Sequence, residues 1–158
     1  YVWARCLTQM RDELESVCDA RIFIGGRTKG FKGKCPGILE ELIIAIRHNH
    51  PVYLVGAFGG ITKDAIDALN GKIPDSLSAE YYFDNSDYRS LFNYYNEKHP
   101  NNTIDYKNYL SVLQSIGLKG IAEQNGLSES DNLRLTTTPH ISEMVYLIMK
   151  GLTNRFTK

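Results

Sequence analysis

Between Gly25 and Gly37, five glycines and the four cations Arg27, Lys29, Lys32 and Lys34 share thirteen positions. Glycine lets a backbone take positive φ and come close to a ligand, and the free amides of a helix that starts just after such a loop favour an anion. The cations add mobile countercharge, so this stretch suits the binding of a phosphate carried by a nucleotide or a sugar. Its spacing is neither that of a P-loop, since no Gly-Lys-Ser/Thr follows, nor the GxGxxG of a dinucleotide fold. The expected ligand contacts are Gly25, Gly26, Arg27, Lys29, Gly33, Lys34 and Gly37. Glu40 and Glu41 follow in the first helical turn, where the helix dipole favours acids whatever their role. Beside a phosphate loop, either can join the ligand contacts, and Glu41 can meet ribose hydroxyls or stabilise an oxocarbenium-like centre. A second glycine turn, Phe58-Gly59-Gly60, offers its amides to the same crevice, with ordinary turn chemistry an equal explanation. Cys35 lies among Lys32, Lys34 and the helix start, surroundings that favour a thiolate. His48, His50, His99 and His140 have no acidic partner at ligand spacing, so neither a metal nor another cofactor is assigned.

The elements that position these residues are legible from period and composition. Two short β-prone runs, 20–26 and 51–56, both end on glycine. Between them Ile38, Leu39, Leu42, Ile43, Ala45 and Ile46 make the broad apolar stripe of a helix. Strand, loop, helix, strand is a parallel unit with a right-handed crossover, and open α/β sheets bind ligands beyond the carboxyl ends of their strands. A preceding helix over 5–17 carries Leu7, Met10, Leu14 and Val17 as its expected buried face. Its Arg11 has a plain reading as a surface cation paired with Glu15 one turn on. Helices are also expected over 61–69, 87–98, 105–115, 118–125 and 141–155, the last with Met144, Val145, Ile148, Met149 and Leu152 along one side. Tyrosines between 81 and 109 are assigned to helix packing and a protein interface. The class is α/β: a partial Rossmann-like parallel sheet in residues 1–72 and a mostly helical extension over 73–158. Two strands leave bare edges, so further strands are expected from a missing N-terminal portion of the same domain or from a partner in a homo-oligomer.

Composition narrows the partners. The 158 residues carry 18 Lys+Arg against 18 Asp+Glu, with no run of like charge. That excludes a broad electrostatic grip on nucleic acid or an anionic membrane. No apolar run approaches the ~18 residues of a membrane span. Three cysteines without a CxxC pair read as reduced thiols, and with them a cytoplasmic location.

The segments Met10-Arg11-Asp12-Glu13-Leu14, Cys18-Asp19-Ala20-Arg21-Ile22-Phe23-Ile24-Gly25-Gly26, Pro36-Gly37-Ile38-Leu39-Glu40-Glu41 and Pro51-Val52-Tyr53-Leu54 resemble the C-terminal half of a SLOG domain, over roughly residues 5–70. That superfamily joins DprA-like proteins to the LOG phosphoribohydrolases, in which a helix with an Arg-Lys-x-x-Met motif precedes a strand and a PGGxGTxxE loop-helix. Arg11 falls on the motif arginine, Leu14 on its Met, Gly37 on the later glycine, Ile38 on the Thr and Glu41 on the final Glu. The resemblance implies a Rossmannoid fold with Arg11 and Glu41 as a catalytic pair. Asp12 stands in place of the motif lysine, and residues 27–35 are inserted between strand and loop. Related SLOG domains sense nucleotides in conflict systems such as Thoeris antiphage effectors, where they bind cyclic ADP-ribose isomers. The leading expectation is a sensor or regulatory domain for a nucleotide or ADP-ribose-like ligand. The rivals are a nucleoside 5'-phosphate N-glycosidase using Arg11 and Glu41, and a structural oligomerisation module with a vestigial site.

Overall fold

A computed structural model describes residues 1–157. Helix α1 (Val2–Ser16) leads into strand β1 (Arg21–Ile24), α2 (Gly37–Arg47), β2 (Val52–Val55) and α3 (Gly60–Leu69). Two 3₁₀ turns, Asp75–Leu77 and Glu80–Tyr82, then precede α4 (Ser86–Lys98), α5 (Tyr106–Asn125), α6 (Glu129–Thr137) and α7 (Ile141–Phe156). β1 and β2 pair in parallel with Phe23 opposite Leu54, and among the described residues they form the whole sheet. The fold is α/β with a helical majority around this small sheet. No helix among the described residues is long and apolar enough to cross a membrane.

The crossover ends on a residue that breaks the helix cleanly. Asn49 takes a left-handed φ of 58°, and the amides of Asn49 and His50 return to the carbonyls of Ile46 and Ala45. This is the paired-bond C-terminal motif that favours Asn or Gly. It sends the chain straight into β2 and sets His50 beside α1.

Residues paired side by side share a sheet face. On one face Phe23, Val52 and Leu54 pack with Leu39, Leu42 and Ile43 of α2, with Ile61 and Ala65 of α3, and on to Tyr82, Tyr106 and Leu113. On the other, Tyr53 and Val55 pack with Leu127, Leu135, Met144 and Leu147. β2 is therefore buried on both faces, whereas Ile22 and Ile24 of β1 lie half exposed beside Tyr53 and Val55. Each fully buried aliphatic side chain contributes about 1.5–3 kcal/mol, which makes β2 the centre of the molecule.

The tyrosines pack the helical half, as their apolar rings and polar tips suggest. Tyr88 donates its hydroxyl to the Lys34 carbonyl at 2.7 Å and meets the Tyr106 hydroxyl at 2.8 Å, and Tyr82 donates to the Ser76 carbonyl at 2.6 Å. Tyr53 donates to the Asn125 carbonyl at 2.8 Å, and burial pushes its phenol up to about 12. The helices expected over 105–115 and 118–125 run together as α5, broken at Gly117 with φ 55°. Helix α6 was not expected, although Ser128 and Asp131 carry its signature: the Ser128 hydroxyl caps the Asp131 amide. In α7 the inward side is Met144, Leu147 and Gly151, and Val145 and Met149 face outward. Gly151 sets that rotation, because a β-carbon there would stand 2.6 Å from the Tyr53 ring.

Helix α1 reverses the face that its apolar residues mark. Met10 and Leu14 are 45% and 44% exposed, Val17 is still more so, and Leu7 is half-buried. The buried positions are Ala4, Arg11 and Glu15. The expected surface pair of Arg11 with Glu15 does not form, because each finds a partner on another element. Charge pairing across elements, which periodicity does not register, orients this helix.

Candidate functional site

Six charged side chains form a row of alternating sign across α1, α2, β1 and the loop before α2. Lys34 Nζ lies 3.3 Å from Glu40 Oε1, Arg11 Nη1 2.6 Å from Glu40 Oε2, and Arg11 Nε 3.2 Å from Glu41 Oε1. Arg21 continues the row, with Nη1 3.1 Å from Glu41 Oε2 and Nε 2.8 Å from Glu15 Oε2. His50 closes it, Nδ1 to Glu15 Oε1 at 2.5 Å. The Thr8 hydroxyl also donates to Glu40. Arg11 and Glu40 are 8% and 3% exposed, so this pair is almost dry and is felt at low dielectric, while Glu41 and His50 at the row's edges are partly exposed. The row sets three fixed cations against three carboxylates.

Arg11 and Glu41, two residues thirty positions apart, are thus brought into direct contact. Each Glu41 oxygen already accepts from a guanidinium and keeps a second lone pair. Such a carboxylate is suited to accepting a hydroxyl hydrogen bond. Glu40, by contrast, is inside, with Arg11, Lys34 and Thr8 on its two oxygens.

The glycines divide into two groups. Gly33 and Gly37 make room for the Arg11 guanidinium: a β-carbon at Gly37 would stand 2.5 Å from Nη2 and one at Gly33 3.2 Å from Nη1. Gly25, Gly26, Gly59 and Gly60 lock the two strand ends together. The amides of Ile61 and Thr62, at the start of α3, donate to the carbonyls of Gly26 and Gly25 at 3.1 and 3.0 Å. A β-carbon at Gly60 would come within 2.2 Å of the Gly26 oxygen. The helix start that an anion would seek at α3 is satisfied by the neighbouring turn itself.

The inserted loop is likewise only partly open. Phe31 packs edge-on to the rings of Tyr82 and Tyr88 at 5.1 and 5.3 Å, and residues 33–36 are buried behind it. Lys34 is committed to Glu40, while Arg27, Lys29 and Lys32 stay exposed. Lys29 sits over the Tyr81 ring at 4.6 Å and Lys32 over Trp3 at 5.9 Å. Cys35 does not have the exposed, cation-favoured setting that its neighbours suggest. It is fully enclosed, and desolvation pushes its thiol far up, with Glu40 adding to the effect. In native protein a thiol reagent at pH 8 is expected to modify exposed Cys6 rapidly and Cys35 only after denaturant is added, as peptide mass mapping will show.

In front of α2 lies an open cleft of about 370 Å³. Arg11, Gly37, Ile38 and Glu41 form its floor, and Arg27, Gly30, Phe31 and Lys32 of the insertion form its wall. Pro36 precedes α2 without a side-chain cap, so the first-turn amides of Gly37 and Ile38 have no partner from the helix itself. Of the expected contacts, Arg11, Arg27, Gly37 and Glu41 line this cleft together. Gly33, Lys34 and Glu40 stand behind it, Lys29 stands beside it, and the Gly25-Gly26 and Gly59-Gly60 turns lie outside its lining. Lys32, one of the four cations expected to supply countercharge, lines it too, and Phe31 joins it unforeseen, though an aromatic alone among glycines and lysines was a signal of anchoring. Among the described residues no three His, Cys, Asp or Glu side chains gather where they could hold a metal ion.

Comparison with curated proteins and with solved structures brings no match. The family model described as SLOG cluster2 matches residues 1–135, a span that takes in both strands, the charged row, the inserted loop and the chain into α6. The likeness carried by the strand and loop motifs extends over most of the chain, which belongs to the SLOG cluster2 family.

Proposed function

We propose that the cleft before α2 binds a nucleotide or an ADP-ribose-like ligand, and that the domain senses this ligand rather than hydrolysing it. The observation that carries the reading is convergence: uncapped amides of a helix start, the exposed cations Arg27 and Lys32, and the one carboxylate Glu41 share a single opening. A phosphate suits the amides and cations, and ribose hydroxyls suit the free lone pairs of Glu41. The parallel pair then belongs to a Rossmann-like sheet, with the ligand beyond its carboxyl end. Sensing is favoured over hydrolysis because both oxygens of Glu41 are held by guanidiniums and no second carboxylate among the described residues lines the cleft to activate water.

Isothermal titration of the protein with AMP, ADP-ribose and cyclic ADP-ribose, with chromatography of each mixture, tests this. Glu41→Gln keeps the shape of the site and Arg27→Ala leaves the buried row alone. Each is expected to weaken binding about tenfold, the scale of one charged hydrogen bond. Ligand recovered intact supports the sensor, whereas base release abolished in Glu41→Gln would make the protein an N-glycosidase. Absence of binding across the panel would leave the structural reading.

A further inference from the structure

Beside the cleft, on the other side of Gly30 and Phe31, is a second cavity of about 120 Å³ that opens among aromatic rings. Its lining brings Phe31 and Lys29 of the inserted loop against Tyr81, Tyr82 and Tyr88, with Asp84 and Asn85 beside them. We propose that this cavity is a base subsite, which takes one planar heteroaromatic ring bearing an exocyclic amine. The inference rests on the nucleotide reading of the neighbouring cleft and adds to it where the base goes.

Three observations converge. The ring cluster is rigid, because Tyr82 and Tyr88 have their hydroxyls bonded to the Ser76 and Lys34 carbonyls, leaving their rings as an apolar wall. The Tyr81 ring, edge-on to Tyr82 at 5.0 Å, has one face open to the loop side, where Lys29 Nζ rests 4.6 Å from its centroid. A face that attracts a cation also attracts a stacked base, which would displace the flexible lysine. The polar groups are complementary to a base edge. Asp84 is exposed, and among the described residues its carboxylate has no hydrogen-bond or ion-pair partner, which leaves it as an acceptor. Asn85 uses its Oδ1 to cap the Tyr88 amide, which leaves its Nδ2 as a donor. An acceptor beside a donor matches an exocyclic amine beside a ring nitrogen, as in adenine or cytosine, and mismatches a ring with a carbonyl in the amine's place. Gly30 and Phe31 line both openings, so a base here and a sugar phosphate at Arg27 and Glu41 are parts of one continuous ligand.

The experiment is titration of the protein with ribose 5-phosphate, adenosine, AMP and inosine monophosphate, with circular dichroism of every variant as a check on folding. AMP is expected to bind about tenfold tighter than ribose 5-phosphate and tighter than inosine monophosphate. Tyr81→Leu should bring AMP down to the affinity of ribose 5-phosphate while leaving the latter unchanged. Exposed Asp84→Ala should remove the preference for the amine. If ribose 5-phosphate and AMP bind equally, the base subsite is wrong and the phosphate cleft stands. Adenosine that binds through Tyr81 without any binding of ribose 5-phosphate supports the subsite and overturns the cleft. If none of the four binds, both fall.

Discussion

Gly60→Ala will lower the stability of the protein by about 3 kcal/mol or more, because the new methyl must enter the van der Waals shell of the Gly26 carbonyl while the backbone holds φ at 66°. Relief requires α3 to back away from the strand end, and that breaks the bonds from Ile61 and Thr62 to the first glycine turn. For a chain of this size the loss corresponds to a fall of about 10 °C in Tm. Gly59→Ala is the internal control. It has φ 65° and ψ −146°, a region that favours glycine, but open space where the methyl would sit, so it should cost backbone strain alone, about 1–3 kcal/mol. Thermal unfolding followed at 222 nm separates the two. Equal costs at both positions would show that strain alone governs the turn and that the interlock contributes nothing.

Arg11→Ala is the second large effect, expected at about 2–4 kcal/mol. It leaves Glu40 buried with only Lys34 and Thr8 and releases one oxygen of Glu41. Arg11→Lys should recover less than half of the loss, since a single ammonium does not span two carboxylates as Nε and Nη1 do. The variant Arg11→Met with Glu40→Gln should be more stable than the sum of its single changes, by about 1–3 kcal/mol, because the second change removes the charge that the first strands. Urea midpoints at low and high salt will check this. Insensitivity to salt is expected for so dry a pair, and a strong salt response would place the pair in solvent.

The parallel unit, the crossover helix and four of the five later helices, all but α6, were legible because each rests on local pattern: β-prone runs ending on glycine, stripes of period 3.6, and a break at Gly117. The face of α1 was not. Its apolar stripe is genuine, but its orientation is decided by Arg11 and Glu15 meeting Glu40, Glu41, Arg21 and His50, and no window on the sequence contains both partners. The site shows the same division. That the loop's glycines and cations lie between the end of β1 and the start of α2, with Glu41 one turn on, follows from the order of elements. Which cations stay free does not, since Lys34 is taken by Glu40 and the loop is pinned by Phe31 on tyrosines some fifty positions on. The thiol of Cys35 was misjudged for the same reason, as its sequence neighbours are cationic and its spatial ones are a closed core.

The contact between Gly37 and the Arg11 guanidinium also limits how descendants of this sequence can change. A side chain at 37 is barred while the arginine is present, because the guanidinium is held by two carboxylates and has nowhere to swing. Removing the arginine first opens the space but strands the acids. Either order of substitution passes through an impaired ancestor, and a lineage that carries a side chain at 37 should be found to have lost the arginine at 11.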